Sequence, residues 1–313
     1  MNVGEIAEKL SCDIFSSFFW QMKEKWNENF SCHCPTHLGA DGKPKTHHPG
    51  DAIFYYEDPY LGSTIYLHTD LKAYKKETIG KTKLRDAFKS LAIAVECARD
   101  SDSWRTTFAV TDCENYEVRG LLFVHNHDHG YAKPFYDLIE KIGFDSIPIP
   151  QDVYLHYLGP RDINRFFTIA NDIIRLTALK KMSGEYTFYY PDLVLRRRQG
   201  DVWGQPATIE ALTSPYLIVQ HKGTEKVGPG YVVYYNRPGA SHTEFEYFLD
   251  SLSRYQMLES GKSVQIRVTS PAADADIVAN FKIAKERYVK AWGFDPIRAV
   301  SYTHLTLPTI YSV

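Results

Sequence analysis

The sequence lacks the features that mark several large classes of protein. No apolar run in its 313 residues approaches the roughly 18–20 residues that a membrane-spanning helix needs, so we expect no membrane insertion. Its N-terminal segment has Glu5 and Glu8 where a secretory signal would be basic and then apolar, which predicts no export. Five cysteines, an odd number, favour reduced thiols in a cytoplasmic protein over a disulfide framework.

A strong net charge is also absent. The 36 Lys and Arg residues nearly balance the 38 Asp and Glu residues, leaving a formal charge of −2. This balance excludes a globally basic nucleic-acid coat but permits a locally basic groove. Hydrophobic residues at 44% and charged residues at 24% are typical of an ordinary soluble globular protein, and the length favours two domains.

Hydrophobic periodicity predicts the elements of a first domain, residues 1–183. Apolar residues recur about every four positions in the first segment, which indicates a helix, and two strands joined by a Pro- and Gly-containing turn indicate a β-hairpin. The predicted elements are a helix (Gly4–Asn29), two hairpin strands (Asp51–Tyr56, Thr64–Lys72), a helix (Leu84–Arg99), a buried strand (Tyr116–His125) and two helices (Pro134–Ile142, Arg161–Met182).

A second, smaller α/β domain is predicted over residues 184–298, after a break in composition at Ser183-Gly184-Glu185. Its predicted elements are strands at Tyr216–Gln220 and Tyr231–Asn236, a helix at His242–Glu259, a strand at Ser263–Thr269 and a helix at Ala275–Trp292. Residues 300–309, VSYTHLTLPT, read as the translation of a transposase-based sequencing adapter. We therefore expect residues 299–313 to be an artefact and the second domain to be truncated.

The informative constellation is Asp51 at the head of one hairpin strand and Asp70-Leu71-Lys72 at the end of the next. The far ends of a hairpin meet, and alternation puts Asp70 and Lys72 on one face. Paired carboxylates suit Mg²⁺ or Mn²⁺, and an ammonium beside them can orient water or stabilise charge on a phosphate. A tripeptide of this kind is more often a solvated strand edge with a surface ion pair. Its structural context therefore decides whether it is catalytic.

In that context the segment from Gly4 to about His125 resembles the PD-(D/E)XK nuclease superfamily, which implies a restriction-endonuclease-like core. The resemblance implies that Asp51 and Asp70 bind the metal and that Lys72 is the catalytic lysine. The resemblance also implies two further metal ligands, the Leu71 backbone carbonyl and a Glu of the opening helix. The candidates for that Glu are Glu5, Glu8 and Glu24. Gly50 departs from the family motif, which has proline there. The text KTHHPGDAIFYYEDPY…YLHTDLKAY also looks like the nuclease component of a two-gene bacterial antiphage defence system.

A loop rich in Cys and His offers a second metal hypothesis. Cys32, Cys34, His37 and His47 supply thiolates and imidazoles of the kind that hold tetrahedral zinc, although their spacing departs from the usual ligand pairs. The alternative is a polar loop near the active site, in which His48 helps to position a substrate phosphate.

Cationic residues point to the substrate. Seven Lys and Arg residues lie between positions 72 and 89, and Lys75, Lys76, Lys81 and Lys83 among them could follow a phosphate backbone. The alternative is an ordinary solvated helix face. Arg196-Arg197-Arg198 is equally consistent with a DNA contact and a solvated turn. The cluster His125-Asn-His-Asp-His129 follows the buried strand, where α/β folds place ligand contacts; the alternative is a simple solvated loop.

The sequence thus favours a cytoplasmic, Mg²⁺- or Mn²⁺-dependent DNA endonuclease with an operon-encoded protein partner, able to form a homo-oligomer. The rival hypotheses are a non-catalytic DNA- or partner-binding module on a nuclease-like fold and a zinc-stabilised interaction protein. The first rival predicts salt-sensitive DNA binding that is indifferent to EDTA.

Overall fold

The chain divides into two compact units, Met1–Ile163 and Asn164–Val313. A computed structural model describes residues 3–39, 41–110, 115–131, 133–191, 203–258, 262–292 and 299–304. None of the described helices is long and apolar enough to cross a membrane.

The first unit is built on a mixed five-stranded sheet with strand order β1-β4-β5-β6-β7. The β1–β4 and β4–β5 pairs are antiparallel, whereas β5–β6 and β6–β7 are parallel. Its elements are α1 (Val3–Ser16), β1 (Gln21–Met22), β2 (Glu28–Ser31), β3 (His47–Gly50), β4 (Ala52–Asp58), β5 (Ser63–Tyr74), α2 (Lys81–Arg99), α3 (Asp102–Thr107), β6 (Tyr116–Asn126), α4 (Phe135–Glu140) and β7 (Leu155–Leu158). The restriction-endonuclease-like arrangement of helix, hairpin, crossover helix and parallel strand is confirmed.

The opening helix is shorter than predicted. It ends at Ser16, and Phe19 then adopts a left-handed conformation with φ 61°, which a continuing right-handed helix cannot include. The apolar periodicity continues beyond Ser16 because later residues also pack against the sheet, although they are not helical. Trp20 stacks on Tyr56, and Met22 pairs with Phe54 at the edge of the sheet. Residues beyond Ser16 therefore belong to a turn and to β1 rather than to one long helix.

The hairpin and the buried strand lie where the sequence predicts them. The Asp58 carboxylate accepts hydrogen bonds from the backbone N–H groups of Tyr60 and Leu61 and so fixes the β4–β5 turn. The helix α2 covers the sheet, and its apolar face packs with the core of β5 and β6. The pattern missed α3, β7 and the small antiparallel β2–β3 pair, because these segments are too short to show a period.

The second unit has its own mixed sheet with order β12-β11-β10-β9-β8. Its elements are most of α5 (Pro160–Ala178), then β8 (Tyr186–Phe188), α6 (Ile209–Thr213), β9 (Tyr216–His221), β10 (Gly230–Tyr235), α7 (His242–Arg254), β11 (Ser263–Val268), α8 (Ile277–Trp292) and β12 (Ala299–His304). β12 lies in the segment 299–313, which we expect to be the translation of a sequencing adapter. The division between units falls within α5, before the break in composition, because the helix from Asn164 onward packs in the second unit.

The two units share a strand plan. In each, a helix precedes an antiparallel strand and a hairpin, and a crossover helix then leads to a parallel strand. The ends of the second hairpin differ from those of the first: Tyr216 opposes and stacks on Tyr235, and Pro215 and Asn236 come next, where the first hairpin has Asp51 and Asp70.

Candidate active site

Asp51 and Asp70 lie side by side at one end of the hairpin. Ala52 pairs with Thr69 in the antiparallel register, so the next opposed pair is Asp51 and Asp70. Asp51 occupies the bend between β3 and β4, where its backbone carbonyl accepts a hydrogen bond from the Asn27 N–H at 2.8 Å. One oxygen of its carboxylate, Oδ2, accepts a hydrogen bond from the Leu71 N–H, also at 2.8 Å. Strand register therefore brings together two acids that are 19 positions apart.

Lys72 projects from the same face of β5 as Asp70. Its Nζ donates a hydrogen bond to Asp70 Oδ1. Burial raises the pKa of Asp70 to about 6, with Lys72 opposing the shift and Asp51 adding to it. Burial alone would lower the pKa of Lys72, but Asp70 and Asp51 outweigh it and raise that pKa above its ordinary value. The arrangement is a half-buried carboxylate pair that one ammonium only partly neutralises.

Among the glutamates predicted for the opening helix, Glu8 has a charge that is coupled to Asp51. Burial, followed by repulsion from Asp51 and Glu5, raises the pKa of Glu8. Glu5 is exposed on α1. Glu24 lies beyond the helix, in the exposed loop after β1, so its assignment to the opening helix was wrong for the same reason as the helix length.

A strand residue directs its N–H and C=O groups to the same side, so the Leu71 carbonyl faces the side from which its N–H contacts Asp51. A small pocket beside the carboxylates is lined by Asp51 and Asp70 and, from α2, by Ser90, Leu91 and Ala94. Carboxylate and carbonyl oxygens are the ligands that Mg²⁺ and Mn²⁺ prefer. Repulsion between neighbouring carboxylates is what a bound cation would relieve, so these residues fit a divalent metal.

Sequence reasoning missed His68, which holds the segment before Asp51. Its Nε2 donates a hydrogen bond to the Pro49 carbonyl at 3.0 Å, and its Nδ1 accepts one from the Trp104 indole N–H at 3.3 Å. Burial lowers its pKa to about 4, against opposing effects of Pro49 and Asp51, so the ring is neutral. The available signal was its position two residues before Asp70, on the same face of β5.

Gly50 departs from the family proline for a steric reason. A Cβ at position 50 would lie 2.6 Å from Cζ of Phe108 and 3.2 Å from Cε1 of His68. Phe108, the residue that follows α3, packs against this bend, so any side chain at position 50 would force Phe108 to move.

We expect Gly50→Ala to lower the free energy of unfolding by about 1–3 kcal/mol, because the added methyl group overpacks the site against Phe108. Urea denaturation measures this change. Gly228→Ala is the matched control, since a Cβ there meets nothing within 4 Å; equal stability of the two variants would contradict the close packing at Gly50.

The Cys and His loop forms a cluster, but with other members than the sequence suggested. The described groups that converge are Cys32, His37, His48 and Cys97. Cys34 Sγ instead contacts Thr36 Oγ1, and His47 is exposed on β3 with its ring against Thr46. Alternation along β3 turns His47 outward and His48 inward. The structure therefore does not bring Cys34 or His47 into the cluster, in which His48 and Cys97 lie instead. His48 is fully buried, which also corrects the expectation that it contacts a substrate phosphate.

The residues predicted to contact nucleic acid differ in exposure and in hydrogen bonding. Lys75, Lys76, Lys81 and Lys83 are all exposed, before and within the first turn of α2. The cluster after β6 is largely a turn: the Asn126 side chain donates hydrogen bonds to the Tyr74 carbonyl and to Asp128, and Asp128 accepts the Lys76 N–H. Burial lowers the pKa of His125 to about 4. Arg196–Arg198 lies outside the described residues.

Comparison with known proteins agrees with this geometry. The model of one family, the GAPS4 protein PD-(D/E)XK nuclease domain, matches residues 1–162, which is the first unit. No curated protein and no solved structure matches the chain. With more than half of its length matched by that model, the chain belongs to the GAPS4 PD-(D/E)XK nuclease domain family.

Proposed function

We propose that this protein is a divalent-metal-dependent endonuclease that hydrolyses phosphodiester bonds of DNA. The observation that carries the proposal is the opposed pair Asp51 and Asp70 with Lys72 on the same face, within a nuclease-family domain. Asp51, Asp70 and the Leu71 carbonyl would hold Mg²⁺ or Mn²⁺, with Glu8 as a further carboxylate whose charge is coupled to Asp51.

The chain's own groups have distinct roles in this proposal. A bound divalent cation supplies an activated water and neutralises charge that develops on the phosphate. Lys72 holds its ammonium beside Asp70 and donates hydrogen bonds to the attacking water or to the phosphate oxygens. The Leu71 N–H keeps the Asp51 carboxylate turned toward Asp70. His68 fixes the backbone on which Asp51 lies.

The substrate assignment to DNA rests on charge. The exposed Lys75, Lys76, Lys81 and Lys83 follow directly after β5, which ends two residues beyond Lys72. A phosphate backbone that crosses this surface would release counterions and would reach the carboxylates at the end of the hairpin.

We further propose that the protein acts in the cytoplasm, in defence against phage, together with a protein encoded beside it. The family description and the sequence resemblance support this role. Phage plating on cells that carry both genes, either gene alone, or the pair with Asp70→Ala tests it. Full protection by the Asp70→Ala pair would contradict a nuclease role in defence.

We expect Lys72→Ala and Asp51→Ala each to slow DNA cleavage at least about 100-fold, since each removes a group that stabilises transition-state charge or holds the metal. Nicking of supercoiled plasmid with Mg²⁺ or Mn²⁺ measures the rate, and a parallel RNA substrate tests the choice of DNA.

The control is Lys226→Ala, which removes an exposed lysine in the second unit. Wild-type activity in Lys72→Ala would refute the assignment. Salt-sensitive DNA binding without a product, unchanged by EDTA, would instead identify a non-catalytic binding module.

A further inference from the structure

Four donor atoms converge in a buried cluster apart from the carboxylates. Sγ of Cys32, at the end of β2, meets His37 from the following loop, His48 from β3 and Cys97 from α2. Each of the four side chains offers one ligand atom, and these atoms all lie within 4.8 Å of one another. His37, His48 and Cys97 are buried, and Cys32 is half-buried. Three segments that are remote in sequence thus aim a set of two sulfurs and two nitrogens at one point.

The distances match the edges of a zinc tetrahedron. Zn–S bonds of about 2.3 Å and Zn–N bonds of about 2.0–2.1 Å give edges of about 3.3–3.8 Å. Cys32 Sγ lies 3.4 Å from His37 Nδ1, His37 Nδ1 lies 3.3 Å from His48 Nε2, and Cys97 Sγ lies 3.9 Å from Cys32 Sγ. Little movement is needed to place one ion among them.

Two groups around the cluster contact its members from outside. His37 Nε2 contacts Glu96 Oε2 at 2.9 Å, and because an ionised carboxylate only accepts, the proton lies on Nε2 and the Nδ1 lone pair faces the cluster. A carboxylate behind a ligating histidine is the usual outer partner in zinc sites. The His33 N–H also donates a hydrogen bond to Cys97 Sγ at 3.4 Å.

We propose that Cys32, His37, His48 and Cys97 bind one structural zinc ion. Two thiolates and two imidazoles in a tetrahedron select zinc over the hard cations that carboxylates prefer. Four protein ligands leave no open position, which is the mark of a structural site.

The position of the site explains what the ion does for the fold. The loop between β2 and β3 is a 15-residue connection, 32–46, and the ion ties both of its ends to α2. His48 precedes Asp51 by three residues, so the same tie fixes the strand that leads to the carboxylate pair. This inference concerns a second metal and does not depend on nuclease activity.

The first test measures metal in the purified full chain. We expect about one zinc per chain by inductively coupled plasma mass spectrometry after expression in zinc-supplemented medium, retained through dialysis against EDTA. Replacing the ion with Co²⁺ should give the visible bands of tetrahedral cobalt together with thiolate charge transfer. These wild-type measurements do not depend on the folding of any variant. Less than a tenth of a zinc per chain, or octahedral cobalt spectra, would overturn the proposal.

Variants then identify the ligands. Cys32→Ser and Cys97→Ser should lose the zinc, whereas Cys34→Ser and His47→Ala, the neighbours that point away, should keep it. Glu96→Gln should weaken zinc binding about 10–100-fold while leaving one site per chain. Retention of zinc by Cys97→Ser would overturn the assignment.

Two further outcomes are informative. Protein alkylated before reduction could contain a Cys32–Cys97 disulfide and no zinc. That result would overturn the zinc proposal in favour of a covalent link. Asp70→Asn should keep a full zinc content even when cleavage is lost, which separates failure of this site from failure of the proposed nuclease.

Discussion

Asp70→Asn should abolish DNA cleavage and yet make the metal-free protein more stable. Loss of one of the two carboxylates that we propose as metal ligands should remove about 4 kcal/mol of transition-state stabilisation, or about 1,000-fold in rate. The gain in stability has a separate cause. Burial and the nearby Asp51 disfavour the ionised form of Asp70, and asparagine has the same shape without the charge.

The sign of the pH dependence follows from the raised pKa. Asp70 has a pKa of about 6 in the folded protein against an ordinary value of 3.8, so the folded state holds this proton more tightly than the unfolded state. The contribution of Asp70 to stability is fully present below about pH 4 and is lost as the pH rises through about 6. At pH 7.5 the loss amounts to at most about 3 kcal/mol, since one pKa unit corresponds to about 1.4 kcal/mol.

Urea denaturation in EDTA at pH 7.5 and at pH 4.5 measures this effect. We expect Asp70→Asn to exceed the wild type in stability at pH 7.5 and the difference to shrink at pH 4.5. Asp13→Asn, at an exposed position of α1, should show no such difference. Added Mg²⁺ should stabilise the wild type and not Asp70→Asn. A variant less stable than the wild type by the same amount at both pH values would contradict the assigned cause.

The largest loss of stability is expected from Asp172→Ala in the second unit. The carboxylate of Asp172 is 1% exposed and is paired with the Arg267 guanidinium, which is 4% exposed. It also accepts a hydrogen bond from the Tyr234 hydroxyl at 3.2 Å. Removing the carboxylate takes this ion-pair partner away from a buried guanidinium, which costs about 3–5 kcal/mol.

Two companion variants separate the buried charge from ordinary loss of contact. Arg175→Ala removes a second arginine that is paired with Asp172 and is 52% exposed. Its loss should cost less than about 1 kcal/mol. The double variant Asp172→Leu, Arg267→Met removes both buried charges and should recover most of the loss. Chemical denaturation of the four proteins gives the comparison, and a double variant as unstable as Asp172→Ala would show that packing dominates over charge.

Local patterns predicted the parts of the site that depend on strand geometry. Alternation and hairpin closure were enough to bring Asp51, Asp70 and Lys72 together, because both rules act between near neighbours in the sheet. The end of α1 was not predictable from periodicity, since Trp20 and Met22 continue the apolar pattern while packing as a turn and an edge strand. A periodic pattern records burial and does not record which element provides it.

Local rules could not predict contacts between residues of elements that are distant in the sequence. Cys97 lies 49 positions after His48, and it reads as one more small apolar residue on the buried face of α2. The need for glycine at position 50 depends on Phe108, which directly follows a short helix that no pattern revealed. The position of Cys97 in the cluster and the need for glycine at position 50 both arise from packing between elements. Such packing cannot be deduced from the pattern of a single sequence.

The unequal hairpins of the two units have a consequence for the proposed nuclease activity. Among the residues that the structure describes, the second hairpin ends in Pro215 and Asn236, so it offers no second set of the carboxylates found at Asp51 and Asp70. A nuclease with a single such set breaks one strand per encounter. Nicked circles should therefore accumulate before linear plasmid, and severing both strands at once would require two molecules of the protein on the same duplex.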